Sequence, residues 1–324
     1  MNRKEISRRR FFHLAAGTAL SSSVAAATAP PSAPRTGDAL PLQLYRSLSE
    51  AQRDSLCLPL QHESRYQIAN WWYIHQEHRI NRGFSPDQLD LIQQIFDSYH
   101  HPDFREAVNR QVTLDQYNNP KYAPSVGFFG APEDKDFEFL FTGHHVTRRG
   151  NAHTDTGIGF GNAPIFYGHH APGQFHETAD HPGNPYWYQG LIFNEFVQTL
   201  DGEQQKKALA AGRPRSEKPD RVIAPRAGNW PGLACRDLSP DQQESLLETM
   251  GKTLVMFRPG DVSATLTEIR DRNLIEDLYV SYYGGKHDIG NDGVWDTWQI
   301  EGPNLIWYFR GEPHIHAYFH LRST

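Results

Sequence analysis

Residues 310–321 read RGEPHIHAYFHL, and this stretch near the C-terminus decides the fold class. Imidazole and phenol side chains alternate with apolar ones from residue 314 onward. Successive side chains of a β-strand point to opposite faces, so the alternation predicts a strand with one polar and one apolar face. The polar positions are His314, His316, Tyr318 and His320, and the apolar positions are Ile315, Ala317, Phe319 and Leu321. Three histidines are therefore expected on one side of a sheet.

Four helix starts upstream share one chemistry, a capping residue followed three positions later by Gln. They are SEAQ at Ser49, SPDQ at Ser85, DGEQ at Asp201 and SPDQ at Ser239. The capping side chain accepts a hydrogen bond from the third helical residue, and the Gln side chain can return one to the cap. Two of the starts also place Pro at the first helical position. Apolar residues at helical spacing follow, so each motif predicts a helix.

The helix starts fall into two pairs, separated by 36 residues (49 to 85) and 38 residues (201 to 239). A β-rich, aromatic and histidine-rich region follows each pair, at 137–167 and 278–321. RGNAHTD at 149–155 also matches RGEPHIH at 310–316, with Arg-Gly at a predicted hairpin turn in each. This layout predicts an α+β fold in which antiparallel hairpins pack with two pairs of capped helices, and it suggests an internal duplication.

The N-terminus carries the pattern of a twin-arginine export signal. Residues 7–12 read SRRRFF, and a weakly apolar run rich in Ala, Ser and Thr follows. A membrane-spanning helix needs ~20 strongly apolar residues, so no stable span is expected in the mature chain. We predict a signal peptide at 1–29, a linker at 30–40 and a single domain at 41–324. The twin-arginine machinery would export the folded chain to the periplasm or beyond the cell.

The charge balance argues against a nucleic-acid partner. The chain has 32 Lys and Arg against 38 Asp and Glu, a formal net charge of −6. Removing residues 1–29 takes away five basic residues and one acidic residue, which leaves 27 against 37 and a net charge of −10. A chain this acidic offers no broad basic surface to a polyanion.

Cys57 and Cys235 are the only cysteines. An oxidising compartment permits a disulfide between them. Two buried thiols that pack as small apolar groups are an equally good interpretation of a pair so far apart in sequence.

The His-x-His spacing of residues 314 and 316 is typical of neighbouring ligands on one transition metal ion. On a strand the two imidazoles point the same way, about two residue rises apart. Residues 153 and 155 hold the matching positions after the first Arg-Gly. The predicted ligands are therefore His153, Asp155, His314 and His316. Imidazoles with one carboxylate suit Zn, Cu, Fe or Mn.

Two GHH motifs, at 143–145 and 168–170, supply further histidines that can ligate or support a ligand. His144 and His145 are the alternate ligands. If the first hairpin turns about residues 149–150, His144 lies opposite Asp155 and His145 points to the other face, and an odd loop reverses this choice. His144 is also the candidate proton shuttle.

Aromatic side chains cluster in NWWYIH at 70–75 and NPYWYQG at 184–190. Exposed aromatic rings stack on sugars and other planar ligands, so Trp71, Trp72 and Trp187 are candidate ligand contacts. Packing in the core is the alternative, since buried Trp and Tyr are common. The sequence patterns of a P-loop, a dinucleotide fold, a nucleophile elbow and an HExxH zinc site do not occur.

Taken together and in order, several segments resemble domain-of-unknown-function family 3500. They are LSEAQRDSLCLPL, TGHHV, APIFYG, LDGEQQKKAL and WQIEGPNLIWYF followed by HIH. The resemblance covers about residues 45–320 and implies one continuous domain with attention drawn to His144, His145, His314 and His316, but no activity. The chain departs from the family pattern at Tyr308 and Arg310, where acidic residues are usual, and Asp155 is the candidate substitute for a missing acidic ligand.

These features lead to two functional expectations. The first is an exported metalloenzyme, an oxidoreductase or a hydrolase, that acts on a small molecule by Lewis-acid or redox chemistry. The second is a non-catalytic periplasmic protein that binds a metal or a small ligand. An open coordination position favours the enzyme, and a closed one favours a structural or storage role.

Overall fold

The computed structural model describes residues 39–322 with gaps at 68, 132–136, 151–162, 171–183, 213, 215–224, 226, 285–296 and 312. The described residues form eight α-helices and eleven β-strands. The helices are α1 (Ala39–Ser47), α2 (Glu50–Leu56), α3 (Pro86–Ser98), α4 (Arg105–Leu114), α5 (Tyr188–Gln198), α6 (Gly202–Ala208), α7 (Pro240–Thr253) and α8 (Pro259–Asp271). The strands are β1 (Cys57–Leu58), β2 (Ser125–Phe129), β3 (Glu138–Gly143), β4 (Val146–Gly150), β5 (Ile165–His169), β6 (Leu209–Ala210), β7 (Leu233–Ala234), β8 (Tyr279–Tyr283), β9 (Thr297–Glu301), β10 (Leu305–Arg310) and β11 (Ile315–Leu321).

The strands form one sheet in the order β1-β2-β3-β4-β5-β11-β10-β9-β8-β6, and β7 pairs with β8. Two short strands, β1 and β6, run parallel to β2 and β8. The remaining described pairings are antiparallel. Short turns join β3 to β4 and β9 to β10, as hairpin geometry allows. The predicted α+β class with antiparallel hairpins is confirmed.

All four predicted helix caps form. Each capping side chain accepts from the backbone N–H three residues on, and each Gln returns a hydrogen bond to the cap backbone. The glutamines also bond to each other across helices. The amide of Gln52 donates to Gln88 at 3.0 Å, and the amide of Gln204 donates to Gln242 at 3.0 Å. Each helix pair is therefore joined at its N-termini, where the first backbone N–H groups have no partner within the helix.

The two halves of the sheet repeat the same order of elements. In each half a capped helix leads into a two-residue strand that runs parallel to the first strand of an antiparallel series. The halves meet where β5 pairs with β11, and Ile165 lies opposite Phe319 there. These parallels favour the internal duplication, which stays a prediction.

The two faces of β11 differ as the alternation predicts. Its four apolar residues, 315, 317, 319 and 321, belong to the main core of the protein. Its polar positions, and His314 just before the strand, face the other way and are buried as well. Tyr318 on that face packs in a small cluster with Phe166, Ile306 and Tyr308. Both faces of the sheet are therefore covered at β11.

The predicted hairpin turn at residues 149–150 is wrong. Arg149 and Gly150 lie inside the ladder between β3 and β4, with Gly150 opposite Phe139. The reversal comes at His144–His145 instead. A Cβ at residue 150 would lie 2.4 Å from a ring carbon of Tyr99, so this glycine serves close packing rather than a turn.

The aromatic segments divide between core and surface. Trp72 and Trp187 are buried, which agrees with the core-packing alternative. The indole of Trp72 also donates to the hydroxyl of Thr147 at 2.9 Å. Trp71 is 43% exposed and is therefore the one of the three that can meet a ligand at the surface.

The predicted signal peptide at 1–29 lies outside the described residues, and so does nearly all of the linker at 30–40. The described chain begins with α1 at Ala39. Among the helices that the structure describes, none combines the length and the apolar character that crossing a membrane requires.

The two cysteines are both among the described residues, and no disulfide joins them. Cys57 lies in the partly exposed strand β1, whereas Cys235 is buried just after β7. Burial raises the pKa of the Cys235 thiol to about 12, so this side chain packs as a neutral group.

Candidate metal centre

Three buried histidine side chains converge at the N-terminal end of β11. The Nε2 atom of His316 lies 3.0 Å from Nε2 of His145 and 3.0 Å from Nε2 of His314. Their ligand atoms all lie within 4.8 Å of one another. Imidazole nitrogens that share one tetrahedral Zn²⁺ ion at about 2.05 Å are about 3.3 Å apart. The three atoms are therefore spaced nearly as three ligands of one ion.

Pairing of β5 with β11 places two of these histidines. His316 lies opposite Gly168 in this pairing. A Cβ at residue 168 would lie 2.3 Å from the carbonyl oxygen of Ile315, so only glycine permits this approach. His314 lies just before β11, and its ring stacks on the ring of His170 with centroids 4.6 Å apart.

The third histidine, His145, enters from the two-residue turn between β3 and β4. Its φ of 55° is in the left-handed region, which costs a non-glycine residue on the order of 1 kcal/mol. The N–H of His145 donates to the carbonyl of Asn70 at 2.7 Å, and its carbonyl accepts from the N–H of Gly168 at 3.2 Å. These two hydrogen bonds hold the strained residue in place.

Asp115, at the C-terminal end of α4, anchors the cluster from behind. Oδ1 accepts from Nδ1 of His145 and from the backbone N–H of His170, both at 3.0 Å. Oδ2 accepts from Nδ1 of His169 at 3.0 Å and from the amide of Gln111 at 2.6 Å. One fully buried carboxylate thus receives four donors, which is the environment that stabilises a buried charge.

The charges of Asp115 and His145 determine which nitrogen of His145 faces the cluster. Burial alone would raise the pKa of Asp115, but its interactions with His145 and His169 more than offset burial, and the pKa lies well below its usual value. Burial lowers the pKa of His145 well below its usual value, although Asp115 opposes the shift. A neutral His145 therefore donates Nδ1–H to the carboxylate and presents its Nε2 lone pair to the cluster. Metal-binding histidines are commonly oriented by such a carboxylate.

Arg310, the last residue of β10, acts on the opposite side of the cluster. Its Nη2 donates to Nδ1 of His316. A guanidinium only donates, so the proton of a neutral His316 ring lies on Nε2. Burial, with a further contribution from the charge of Arg310, lowers the pKa of His316 well below its usual value. A metal ion at Nε2 of His316 has to displace this proton, so Arg310 opposes the binding of a cation.

His144 packs beside the cluster rather than into it. Its ring stacks on His145 with centroids 3.9 Å apart, and its Nδ1 donates to the backbone carbonyl of Asp115 at 2.8 Å. The rings of Trp71 and Tyr117 lie 5.2 and 5.3 Å from it. Burial lowers the pKa of His144, so it is neutral near pH 7 and able to accept a proton. Its role as a proton shuttle stays a prediction.

The structure brings together His314 and His316, from the predicted ligand set, and His145, from the predicted alternates. The other alternate, His144, forms a second group with His145 and Asp115, whose ligand atoms also lie within 4.8 Å of one another. His153 and Asp155 lie outside the described residues. The expected separation of His144 and His145 onto opposite faces is wrong, because the left-handed conformation of His145 turns both rings to one side. His320 lies on the same strand face as His316, but its ring stacks on Tyr66 and it is not part of the cluster.

Sequence reasoning missed Asp115. It lies in TLDQYNN, which carries no ligand motif, and it is 30 residues from His145 along the chain. His169 and His170 had a signal, since the second GHH motif marked them as supporting groups. Both indeed bond to the Asp115 carboxylate, through a side chain and a backbone N–H respectively.

The fold and the site define a class, namely an α+β protein with one mostly antiparallel sheet and a buried His/Asp cluster able to hold a metal ion. Within that class, the chain belongs to the family described as "Protein of unknown function (DUF3500)", whose family model matches residues 39–324. Comparisons with curated proteins and with solved structures gave no match.

Proposed function

We propose that the protein binds one transition metal ion through Nε2 of His145, His314 and His316 and acts as a metalloenzyme on a small molecule. The convergence of these three atoms within 4.8 Å carries the proposal. A set of three histidines with a further position for water or substrate is typical of catalytic zinc sites, whereas structural sites use four protein ligands.

The bound ion would supply Lewis-acid or redox chemistry. Asp115 would keep His145 oriented, since the carboxylate receives its Nδ1–H at 3.0 Å. His144, neutral and stacked on His145, would carry a proton to or from the substrate. An all-imidazole set favours Zn, Cu or Fe over Mn, and Asp155 would shift this preference toward Mn if it joined the set.

Export by the twin-arginine route belongs to the same proposal. Two of the proposed ligands, His145 and His316, are 171 residues apart in the chain. The metal site therefore exists only after folding, and a chain that folds before export can be loaded before export. The proposed location is the periplasm or the extracellular space.

A non-catalytic metal-binding protein is the second candidate. The observation that favours it is the burial of the three ligands, whose exposed fractions are 1% for His145, 5% for His314 and 1% for His316. Buried ligands are typical of ions that stay in place. Whether water bound to the ion exchanges with solvent distinguishes the metalloenzyme from the metal-binding protein.

The test is metal analysis of the protein exported with its own signal and purified without a histidine tag. We expect about one equivalent of one metal in the wild type and none in His314→Ala/His316→Ala. The matched control is His320→Gln, which alters a buried histidine of the same strand face and should keep the metal. Wild-type protein that is metal-free and takes up no Zn, Cu, Fe or Mn on reconstitution would contradict the proposal.

Water proton relaxation of the Cu²⁺- or Co²⁺-loaded protein then distinguishes the candidates. A rapidly exchanging water at the ion supports the enzyme, because catalysis needs an accessible coordination position. An ion without exchangeable water supports the binding protein.

A further inference from the structure

A polar cavity lies beside the only exposed indole of the segment 70–75. It has a volume of about 350 Å³, and its lining includes Ser64, Gln67, Trp71, Tyr73 and Gln76. All of its lining side chains are uncharged. A cavity of this size holds a small ligand, and uncharged amide, hydroxyl and aromatic groups suit a neutral, hydroxyl-rich one.

The indole of Trp71 is exposed but held in one orientation. Its Nε1 donates to the hydroxyl of Tyr73 at 2.8 Å, and Tyr122 packs against its ring edge-on with centroids 4.8 Å apart. The Arg79 guanidinium covers the ring of Tyr73 at 3.3 Å and donates to the side-chain carbonyl of Gln76 at 2.6 Å. A Trp side chain that is 43% exposed although its neighbours bond to it and pack on it differs from the usual burial of Trp.

Trp71 is also connected to the candidate metal centre. It forms a backbone bridge with His144, and its ring contacts the His144 ring at 5.2 Å. The neighbouring residue, Asn70, accepts the hydrogen bond that holds His145 in its left-handed conformation. The segment that lines the cavity therefore also positions a proposed metal ligand.

From these contacts we infer that the cavity binds a neutral sugar ring stacked on Trp71, which makes a carbohydrate the substrate class of the metal centre. The substrate assignment rests on the proposed function, whereas the sugar site itself does not. The apolar face of a pyranose packs on an indole, and its hydroxyls can bond to the amides of Gln67 and Gln76 and to the hydroxyl of Ser64. The lining offers no ionic partner for an acidic or basic ligand.

The test is calorimetric titration of the metal-loaded protein with maltotriose, cellotriose and chitotriose. We expect at least one of them to bind, at least tenfold more weakly to Trp71→Ala, with Trp71→Phe in between. The matched control is Trp230→Ala, which removes a partly exposed indole that packs on Tyr279 outside the cavity and should bind as the wild type. Far-ultraviolet circular dichroism confirms that each variant folds.

Three results would overturn the inference. They are no binding of any of the three sugars at 10 mM, equal binding by Trp71→Ala, or tighter binding of an aromatic probe such as adenosine at the same site. Metal analysis of the same samples keeps the two proposals separate. Trp71→Ala should retain its metal, and His314→Ala/His316→Ala should still bind the sugar. Wild-type protein that binds the sugar without a metal contradicts only the metal site, and wild-type protein that binds a metal but no sugar contradicts only the sugar site.

Discussion

The two hairpin turns β3–β4 and β9–β10 occupy the same place in the two halves of the sheet, yet only one of them carries the candidate site. The first reverses at His144–His145 and the second at Pro303–Asn304. In each turn the second residue accepts a backbone N–H from the segment alongside it, since Gly168 donates to His145 and Arg322 donates to Asn304. Pro and Asn favour turns through their own conformational preferences, whereas His145 takes a left-handed conformation that is uncommon for a non-glycine residue and is held there by two backbone hydrogen bonds.

The residues that follow the two helices ending near these turns also differ, because only the one near the first turn contacts the histidine cluster. Asp115 follows α4 and collects the side chains of His145 and His169. Arg272 follows α8 and donates to the carbonyl of Arg322 and to its own helix at Glu268. The turn with the positive-φ residue is therefore the one that contributes to the histidine cluster, whereas the Pro-Asn turn contributes no residue to it. Strained residues concentrate at functional sites.

The largest loss of stability is expected on substitution of Asp115, the carboxylate that binds His145 of the β3–β4 turn. Asp115→Ala leaves four buried donors without their acceptor, so the free energy of unfolding should fall by about 3–5 kcal/mol and metal should be lost. The measurement is urea denaturation together with metal analysis. Arg272→Ala, at the end of α8, is the control and should cost no more than about 1 kcal/mol. A loss below about 1 kcal/mol for Asp115→Ala would show that the cluster is not held by this carboxylate.

The next effect comes from the strand pairing that brings the histidines together. Gly168→Ala places a methyl group 2.3 Å from the backbone carbonyl of Ile315, which has to move. We expect a loss of about 1–3 kcal/mol in unfolding free energy and weaker metal binding, because His316 lies opposite this residue. Gly202→Ala is the matched control, since nothing lies within 4 Å of a Cβ there. Equal stabilities for the two variants would contradict the close approach.

The third prediction concerns His145, the second residue of the β3–β4 turn. His145→Asn introduces the residue found at position 304 and removes a histidine whose folded pKa lies well below 6.5 because of burial. Below pH 6.5 the unfolded chain takes up a proton at this histidine while the folded chain does not, so stability falls as the pH falls. As the pH falls below 6.5 the wild type should therefore lose up to about 1.4 kcal/mol per pH unit more than the variant.

Urea denaturation of the two proteins at several pH values, with a chelator present, measures this difference. The control is Asn304→Ala in the second turn, which carries no titrating group and should keep the wild-type slope. Identical slopes for the wild type and His145→Asn would mean that His145 titrates alike in the folded and unfolded chains.

The smallest effect is expected at Arg310, which donates to His316 beside the candidate ion. Arg310→Gln removes a positive charge and frees Nδ1 of His316 to carry the ring proton. Metal affinity should therefore rise by up to about tenfold, equivalent to about 1.4 kcal/mol. Competition with a chromogenic chelator measures the change. Arg272→Gln is the control, and a weaker affinity for Arg310→Gln would assign Arg310 a supporting rather than an opposing role.

Local signals in the sequence predicted much of the fold. The four capping boxes depend on residues three positions apart, so the sequence contains both partners, and the alternation of 314–321 fixes the faces of β11 without reference to the rest of the chain. The prediction of a turn at 149–150 was wrong because glycine occurs both in turns and where another group packs closely against the backbone. Gly150 admits the ring of Tyr99, and nothing in RGNAHTD distinguishes that use from a turn.

The candidate site was predictable only in part. The spacing of His314 and His316 indicates metal binding, whereas Asp115 lies in no motif that indicates a role. The contact of Asp115 with His145 depends on how α4 meets the β3–β4 turn, which is a property of the tertiary structure. The direction of His145 depends on its positive φ, and simple alternation assumes extended backbone throughout.

The glutamine pairs at the helix starts have a consequence for the folding of the sheet. Gln52 closes its own capping box and also bonds Gln88, which closes the box of α3, and Gln204 and Gln242 do the same for α6 and α7. Neither helix of a pair can fray at its N-terminus without breaking a hydrogen bond to the capping-box glutamine of the other. The first turns of both helices should therefore open as one cooperative unit, and their amide hydrogens should exchange with solvent at a common rate.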